Sequence, residues 1–240
     1  MTHNRTQTQT QTRPQARPRT RPEPRADRRG MTLTGAAREF WRHPTPWLLA
    51  GALTAAVAAR IVIADWQWSD AVLPLVVLAV FPFVEWVIHV VVLHWRPRRI
   101  GRLTLDPVLA RKHREHHMNP RNVPLIFIPL QSLLGAFAAT MIVGLVLIPR
   151  TALGVTFLVT VFAIGMVYEW THYLVHTDYK PKRAVYRAIR KNHRLHHFKN
   201  EHYWYAVTSP GVADRVLGTY PDPGSVPTSP TAKNLHAARD

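Results

Sequence analysis

The chain has 240 residues, 31 Lys and Arg against 14 Asp and Glu, a net charge of +17, 14 histidines and no cysteine. That length suits one domain, or one domain with a tail, and without cysteine any metal must be held by nitrogen and oxygen ligands. The charge alone would suit a nucleic-acid binder. Its distribution excludes nucleic acid as a partner, because basic stretches alternate with long apolar runs, the pattern of a membrane protein.

Residues 1–30 run through Thr/Gln repeats into Arg/Pro alternation and are expected to be a disordered tail, since nothing in them can build a core. The Arg28-Arg29 pair lacks a small-residue cleavage site after the next apolar run. A start at Met31 is the alternative origin of the domain, which covers 31–240. Residues 47–64 are the first expected span, with Arg60 near its end placed to snorkel. Asp65 and Asp70 mark a short exit loop, and Trp66 and Trp68 fit an interfacial belt. Residues 71–92 form a second span, bent at Pro74 and Pro82, whose far end carries Glu85, His89 and His94.

An arginine-rich polar stretch follows over 95–122. Residues 123–130 are apolar but punctuated by Pro124 and Pro129, and they read as a re-entrant or interfacial approach rather than helix. The third span is 131–148. The fourth is 151–170, with its helix continuing through Glu169, His172 and His176. A soluble cap over 177–220 and a flexible end over 221–240 complete the expected all-α, polytopic membrane architecture of four transmembrane helices. Arg and Lys crowd the N-terminal segment, the 95–122 stretch and the C-terminal region, while the loop at 65–70 has none and the 149–151 turn has only Arg150, which predicts both termini on the cytoplasmic side.

Ten of the histidines fall into four clusters. His113, His116 and His117, and again His193, His196 and His197, read H-x-x-H-H. At about 100° per residue, each triplet lies on one face of a helix. His172 and His176 are about 40° apart on such a face, whereas His89 and His94 are about 140° apart on a regular helix. The latter pair converges only if the helix ends, frays or carries a π-bulge between them, and Pro97 just downstream favours an ending. One histidine is more often satisfied packing than a ligand, but four helix-compatible clusters on one side of the membrane make a polymetal site. His3, His43 and His236 have no helical partner and fall outside it. His202 is either a neighbour of the ligand set or a substrate-facing residue.

The two halves repeat. Glu85-Trp86 with His89 and His94 matches Glu169-Trp170 with His172 and His176, and each set leads through a basic linker to an H-x-x-H-H. Facing halves would enclose a dimetal centre with about five imidazoles each and open positions for an exogenous ligand. Glu85 and Glu169 can each orient an imidazole from outside the ligand set; the alternative for either is an ion pair between helices, for instance with Arg60.

These motifs in this order resemble the fatty acid hydroxylase/sterol desaturase superfamily of membrane di-iron enzymes, from about Leu75 to Tyr220. The segments Asn200–Tyr205, Thr208–Pro210 and Asp214–Thr219 are similar to its C-terminal signature. The three-residue gap between His172 and His176 looks closer to fatty acid 2-hydroxylases than to beta-carotene hydroxylases, where four is usual. The resemblance implies a four-span fold with a cytosolic cap over two iron ions. It also implies O2 as co-substrate, a lipid substrate, and hydroxylation or desaturation of an acyl chain, a sterol or a carotenoid. No cytochrome b5-like domain is fused here, so a separate electron donor (cytochrome b5-like, ferredoxin or reductase) is expected. Imidazole also suits zinc, which can occupy such a site in a purified protein but has no redox chemistry. Trp204 and Tyr205 are candidates for the substrate groove, or else interfacial anchors. A zinc hydrolase is the weaker reading, for want of a paired catalytic carboxylate or serine motif. A metal transporter is disfavoured because its ionisable groups would sit near mid-bilayer.

Overall fold

The computed structural model describes residues 31–236; the tail expected over 1–30 and the residues 237–240 lie outside the described residues. A short helix, α1 (Leu33–Phe40), is capped by Thr32, whose Oγ1 accepts the Gly35 amide at 3.1 Å. Helix α2 (Pro44–Ile63) opens with Pro at its first position, where no amide partner is lost. Helix α3 (Ser69–Val87) contains Pro74 and Pro82 and passes without a break into a π-helical turn, Ile88–Leu93. A small antiparallel hairpin, β1 (Arg98–Ile100) with β2 (Leu103–Leu105), turns at Gly101 with φ of 60°. It departs from the all-helical expectation at one exposed loop.

Helix α4 (Val108–Met118) carries the first triplet. The stretch expected to be non-helical gives one turn, α5 (Val123–Ile126), then an extended break at Phe127. After it come α6 (Leu130–Ile142), continued as a π-helix over Val143–Leu147, and the long α7 (Thr151–His176). Helix α8 (Ala184–Phe198) carries the second triplet, and α9 (Val212–Val216) is a single short helix. Four segments are long and apolar enough to cross a membrane: Pro44–Ile63, Ser69–Leu93, Val123–Leu147 and Thr151–His176. They overlap the four expected spans; the third begins earlier because α5 extends it. Val62, Val146 and Leu75 point outward, each more than half exposed, as a lipid-facing surface does.

The end of the bundle away from the histidines is closed by ion pairs. Arg60 does not snorkel. It is 3 % exposed, pairs with Asp70 at 3.2 Å, donates to Thr156 Oγ1 at 2.8 Å, and lies 3.6 Å from the Trp66 ring centre. Asp70 also takes Arg150 at 2.6 Å and the Thr156 hydroxyl at 2.7 Å. That network joins α2, α3 and α7, so the Arg60 partnership with Glu85 or Glu169 is not made. A paired, hydrogen-bonded charge can be buried where an unpaired one cannot. Beside it, α7 and the chain before it meet at Gly154 and Gly144. A Cβ on Gly154 would fall 1.8 Å from the Gly144 carbonyl oxygen, so no larger residue fits that approach. With one end fastened, the other ends of α3 and α7 stand side by side and present their histidines together.

Candidate metal centre

Nine of the ten clustered histidines form two adjoining groups. His89, His94, His113, His117 and His196 each bring a ring nitrogen within 4.8 Å of the others, and His116, His176, His193 and His197 do the same. His172 belongs beside the second group, its ring 5.1 Å from those of His116 and His193 and 5.0 Å from His176. The groups touch where His117 and His197 stack at 4.1 Å between ring centres. Membership crosses the repeat: the first group takes four imidazoles from the first half and His196 from the second. The second group takes His116 in exchange.

Local geometry explains the convergence. The π-helical turn places five residues, rather than four, between donor and acceptor, and His94 N donates to His89 O at 3.1 Å. That widening brings His89 and His94 onto one side, their rings 5.1 Å apart. Of the routes open to this pair, two are taken together: the helix widens to a π-turn over Ile88–Leu93 and ends there, with His94 as its C-cap. Helix α7 needs no such device, because its histidines are already one turn apart. In α4 and α8 the outer members of each triplet meet Nε2 to Nε2 at 3.1 Å (His113 with His117, His193 with His197), and the middle histidine leans into the other group.

The imidazoles are neutral and aimed inward. Burial, then neighbouring imidazoles, hold His94, His113, His116, His193 and His197 well below the usual histidine range. His196 is held low by burial and His117, and burial takes His117 down to about 3. Neutral imidazole is the metal-binding form. His89, His94 and His196 each present a buried Nε2 with no partner among the described residues. An unpartnered buried nitrogen is costly, and three aimed into one pocket fit a cation. The donor set is all nitrogen, suited to iron or zinc rather than to magnesium or calcium.

Backbone carbonyls fix the outer nitrogens of the first group. His89 Nδ1 meets Tyr205 O at 2.7 Å, His196 Nδ1 meets Tyr203 O at 2.9 Å, and His117 Nδ1 meets Ala232 O at 2.9 Å. The loop that carries the Tyr205 carbonyl is itself held. Glu85 accepts the Val207 and Thr208 amides at 2.8 and 3.0 Å and the Thr208 hydroxyl at 2.7 Å. Asp214 accepts the Tyr205 and Ala206 amides at 3.0 and 2.9 Å. Glu169 accepts the Ile128 amide at 3.0 Å. The two acids thus touch loops rather than imidazoles, and orientation passes through the peptide chain. Asp214 was not singled out from the sequence, although it lies in the C-terminal signature.

The remaining residues fall into place as follows. Tyr205 is 6 % exposed, with its ring 5.2 to 5.5 Å from those of His196, His89 and His94. Trp204 is fully buried, with a φ of 56°. Both are buried, so neither is an exposed interfacial anchor. His202 is exposed, approaches Glu201 at 3.6 Å and is a member of neither group. The segment expected to be a flexible end folds back as a strap as far as His236. Ser229 N donates to Lys199 O at 2.7 Å, Thr231 bonds to Glu201, and Val226, Ala232 and Leu235 are buried. His236, expected to stand apart, bonds through Nε2 to His94 O at 3.0 Å.

The fatty acid hydroxylase family profile matches residues 74–219, a stretch holding all ten histidines, both acids and Asp214. The chain belongs to the fatty acid hydroxylase family. It is 29 % identical over 156 residues to a dihydroceramide fatty acyl 2-hydroxylase of Arabidopsis thaliana, FAH1, covering 62 % of each chain. It is 25 % identical over 189 residues to a second from the same plant, FAH2, covering 76 % of this chain and 73 % of that one. The chain thus spans rather less than two thirds of the first relative. The solved structure of full-length scs7p, in which only the hydroxylase domain is visible, shares the fold at a TM-score of 0.59 and 18 % identity. The match covers 84 % of this chain and 71 % of that one. The family member is an integral membrane protein with a histidine cluster at one end of its spans.

Proposed function

We propose that this protein hydroxylates a lipid acyl chain with O2, using two iron ions held by the ten clustered histidines. The observation that carries the reading is the pair of adjoining, buried, all-nitrogen groups at the shared end of four apolar helices. His89, His94, His113, His117 and His196 would hold one ion; His116, His172, His176, His193 and His197 would hold the other. Iron supplies the O2 chemistry that side chains lack. The chain's own contribution is to keep ten imidazoles neutral, exclude bulk water by burial, and fix ring orientation through the carbonyls of Tyr203, Tyr205 and Ala232. Tyr205, packed on three of the imidazoles, is the aromatic wall a substrate carbon would meet. The printed names of the plant relatives favour a fatty acyl chain over a sterol or carotenoid and hydroxylation over desaturation. The arginine distribution favours a centre and both termini on the cytoplasmic side, the side from which a separate protein would deliver electrons.

Lipid profiling by mass spectrometry of cells with and without the protein tests this. Hydroxylated acyl chains should accumulate only with the protein and only under O2, and the purified chain should carry iron on both groups. Zinc-loaded protein that hydrolyses lipid without consuming O2 would replace the reading with the hydrolase one.

A further inference from the structure

Between Tyr179 and Asn200 the chain carries eight cations and no acid: Lys180, Lys182, Arg183, Arg187, Arg190, Lys191, Arg194 and Lys199. None makes a salt bridge among the described residues. Arg190 is partly buried, its Nε has no hydrogen-bond partner among the described residues, and it stands near Arg194 with Asp178 as the nearby carboxylate, itself paired with Arg121 at 3.7 Å. Six of the eight cations, all but Lys182 and Arg183, line a cavity of about 680 Å³ along α8. A second cavity of about 520 Å³ adjoins it and reaches His117. Phe198 lines both, 40 % exposed, with Arg194 and Lys233 at 5.3 and 6.0 Å from its ring centre. Its own ring lies 6.3 Å from His197, which stacks on His117. One exposed aromatic, ringed by cations, therefore touches the seam between the two histidine groups.

We propose that this basic face of α8, centred on Phe198, is where a small acidic one-electron carrier protein docks. The inference rests on the hydroxylase reading, because it names that reaction's electron source. Hydroxylation puts one oxygen atom of O2 into a C–H bond. The other leaves as water, taking up two protons and two electrons, so the carrier is oxidised twice per turnover. An apolar centre inside a charged rim fits a weak, steered redox encounter. A membrane headgroup would also answer the charge. The contact of Phe198 with His197 favours the carrier, since a lipid phosphate has no use for an aromatic bridge to the ligands.

The test uses the full chain in discs of uncharged lipid and the soluble domain of a cytochrome b5 as the acidic probe. Wild-type binding should weaken steeply with added salt, and the double variant Arg190→Glu/Arg194→Glu should bind at least about tenfold more weakly at low salt. Arg98→Glu in the exposed hairpin should bind like wild type. Phe198→Ala, which reverses no charge, guards against a folding defect, and each variant must keep the wild-type metal content. Unchanged affinity in both α8 variants overturns the proposal. So does a patch that binds no carrier but takes up anionic lipid, raising the unfolding temperature of wild type and not of the double variant. Binding is read without turnover. A chain that docks the carrier through α8 yet hydroxylates no lipid would therefore sink the proposed reaction and leave the surface standing.

Discussion

The two histidine groups are built by matching halves, yet they are held differently. In the first, three of five imidazoles have their outer nitrogen clamped by a peptide carbonyl, at Tyr203, Tyr205 and Ala232. In the second, Nδ1 of His116, His193 and His197 is buried with no partner among the described residues, and only His172 approaches a backbone group, at Ile126. The supporting acids follow suit. Glu85 accepts three well-formed hydrogen bonds across both oxygens, while Glu169 accepts one amide and has only the Thr45 hydroxyl near its other oxygen. Fixed outer partners set ring orientation and raise ligand basicity. The first group is a preorganised cage, and the second is a set of rings held by packing. Repeating a motif copies its ligands but not the loops that steady them.

The largest effect expected concerns membership. His196→Ala removes a second-half residue but should empty the group made mostly by the first half, and His116→Ala should do the reverse. Each should abolish hydroxylation and lower bound metal, read by elemental analysis per chain. If either variant empties the group of its own half instead, the exchange is refuted. Next comes the strap. Ending the chain after Gly224 removes the Ala232 carbonyl and the His236 contact, and should weaken metal binding to the first group by about 10–100-fold. Retained affinity would show that burial alone holds His117.

A chelator sharpens the contrast directly. Metal should leave in two phases, with the faster one lost in His193→Ala; a single phase would make the groups equivalent. Smaller still is the difference between the acids. Glu85→Gln should lower the unfolding temperature more than Glu169→Gln, since a hydrogen bond contributes roughly 0.5–1.5 kcal/mol and Glu85 accepts more of them. His202→Ala, exposed and in neither group, should change neither metal content nor turnover.

Much of this was readable in advance because helical spacing is printed in the sequence. The two triplets and the His172/His176 pair declare a shared face by period alone. His89 and His94 declared a problem, five residues apart where a helix wants three or four, and Pro97 pointed to the ending at His94 but not to the π-turn before it. The chain keeps its hydrogen bonds and widens one turn. Glu85 and Glu169 were visible as acids near ligands. Their contact with loop amides was not, because it depends on where residues more than a hundred positions or some forty positions away come to rest. Least legible were the carbonyl clamps, since every residue has a carbonyl and composition cannot say which one is aimed. The strap was missed for the same reason, and the exchange of His116 and His196 needed the crossing of α4 and α8.

The strap also dictates an order of events during manufacture. Residues 203, 205 and 232, whose carbonyls steady the first cage, leave the ribosome after all ten imidazoles and after all four apolar helices. While the chain is being threaded into the lipid, its histidines are present but their orienting contacts do not yet exist. A nascent chain therefore offers only loosely held rings to whatever cation is nearby. Selective capture is deferred until residues 222–236 have folded over the end of the bundle, so insertion comes first and metallation second.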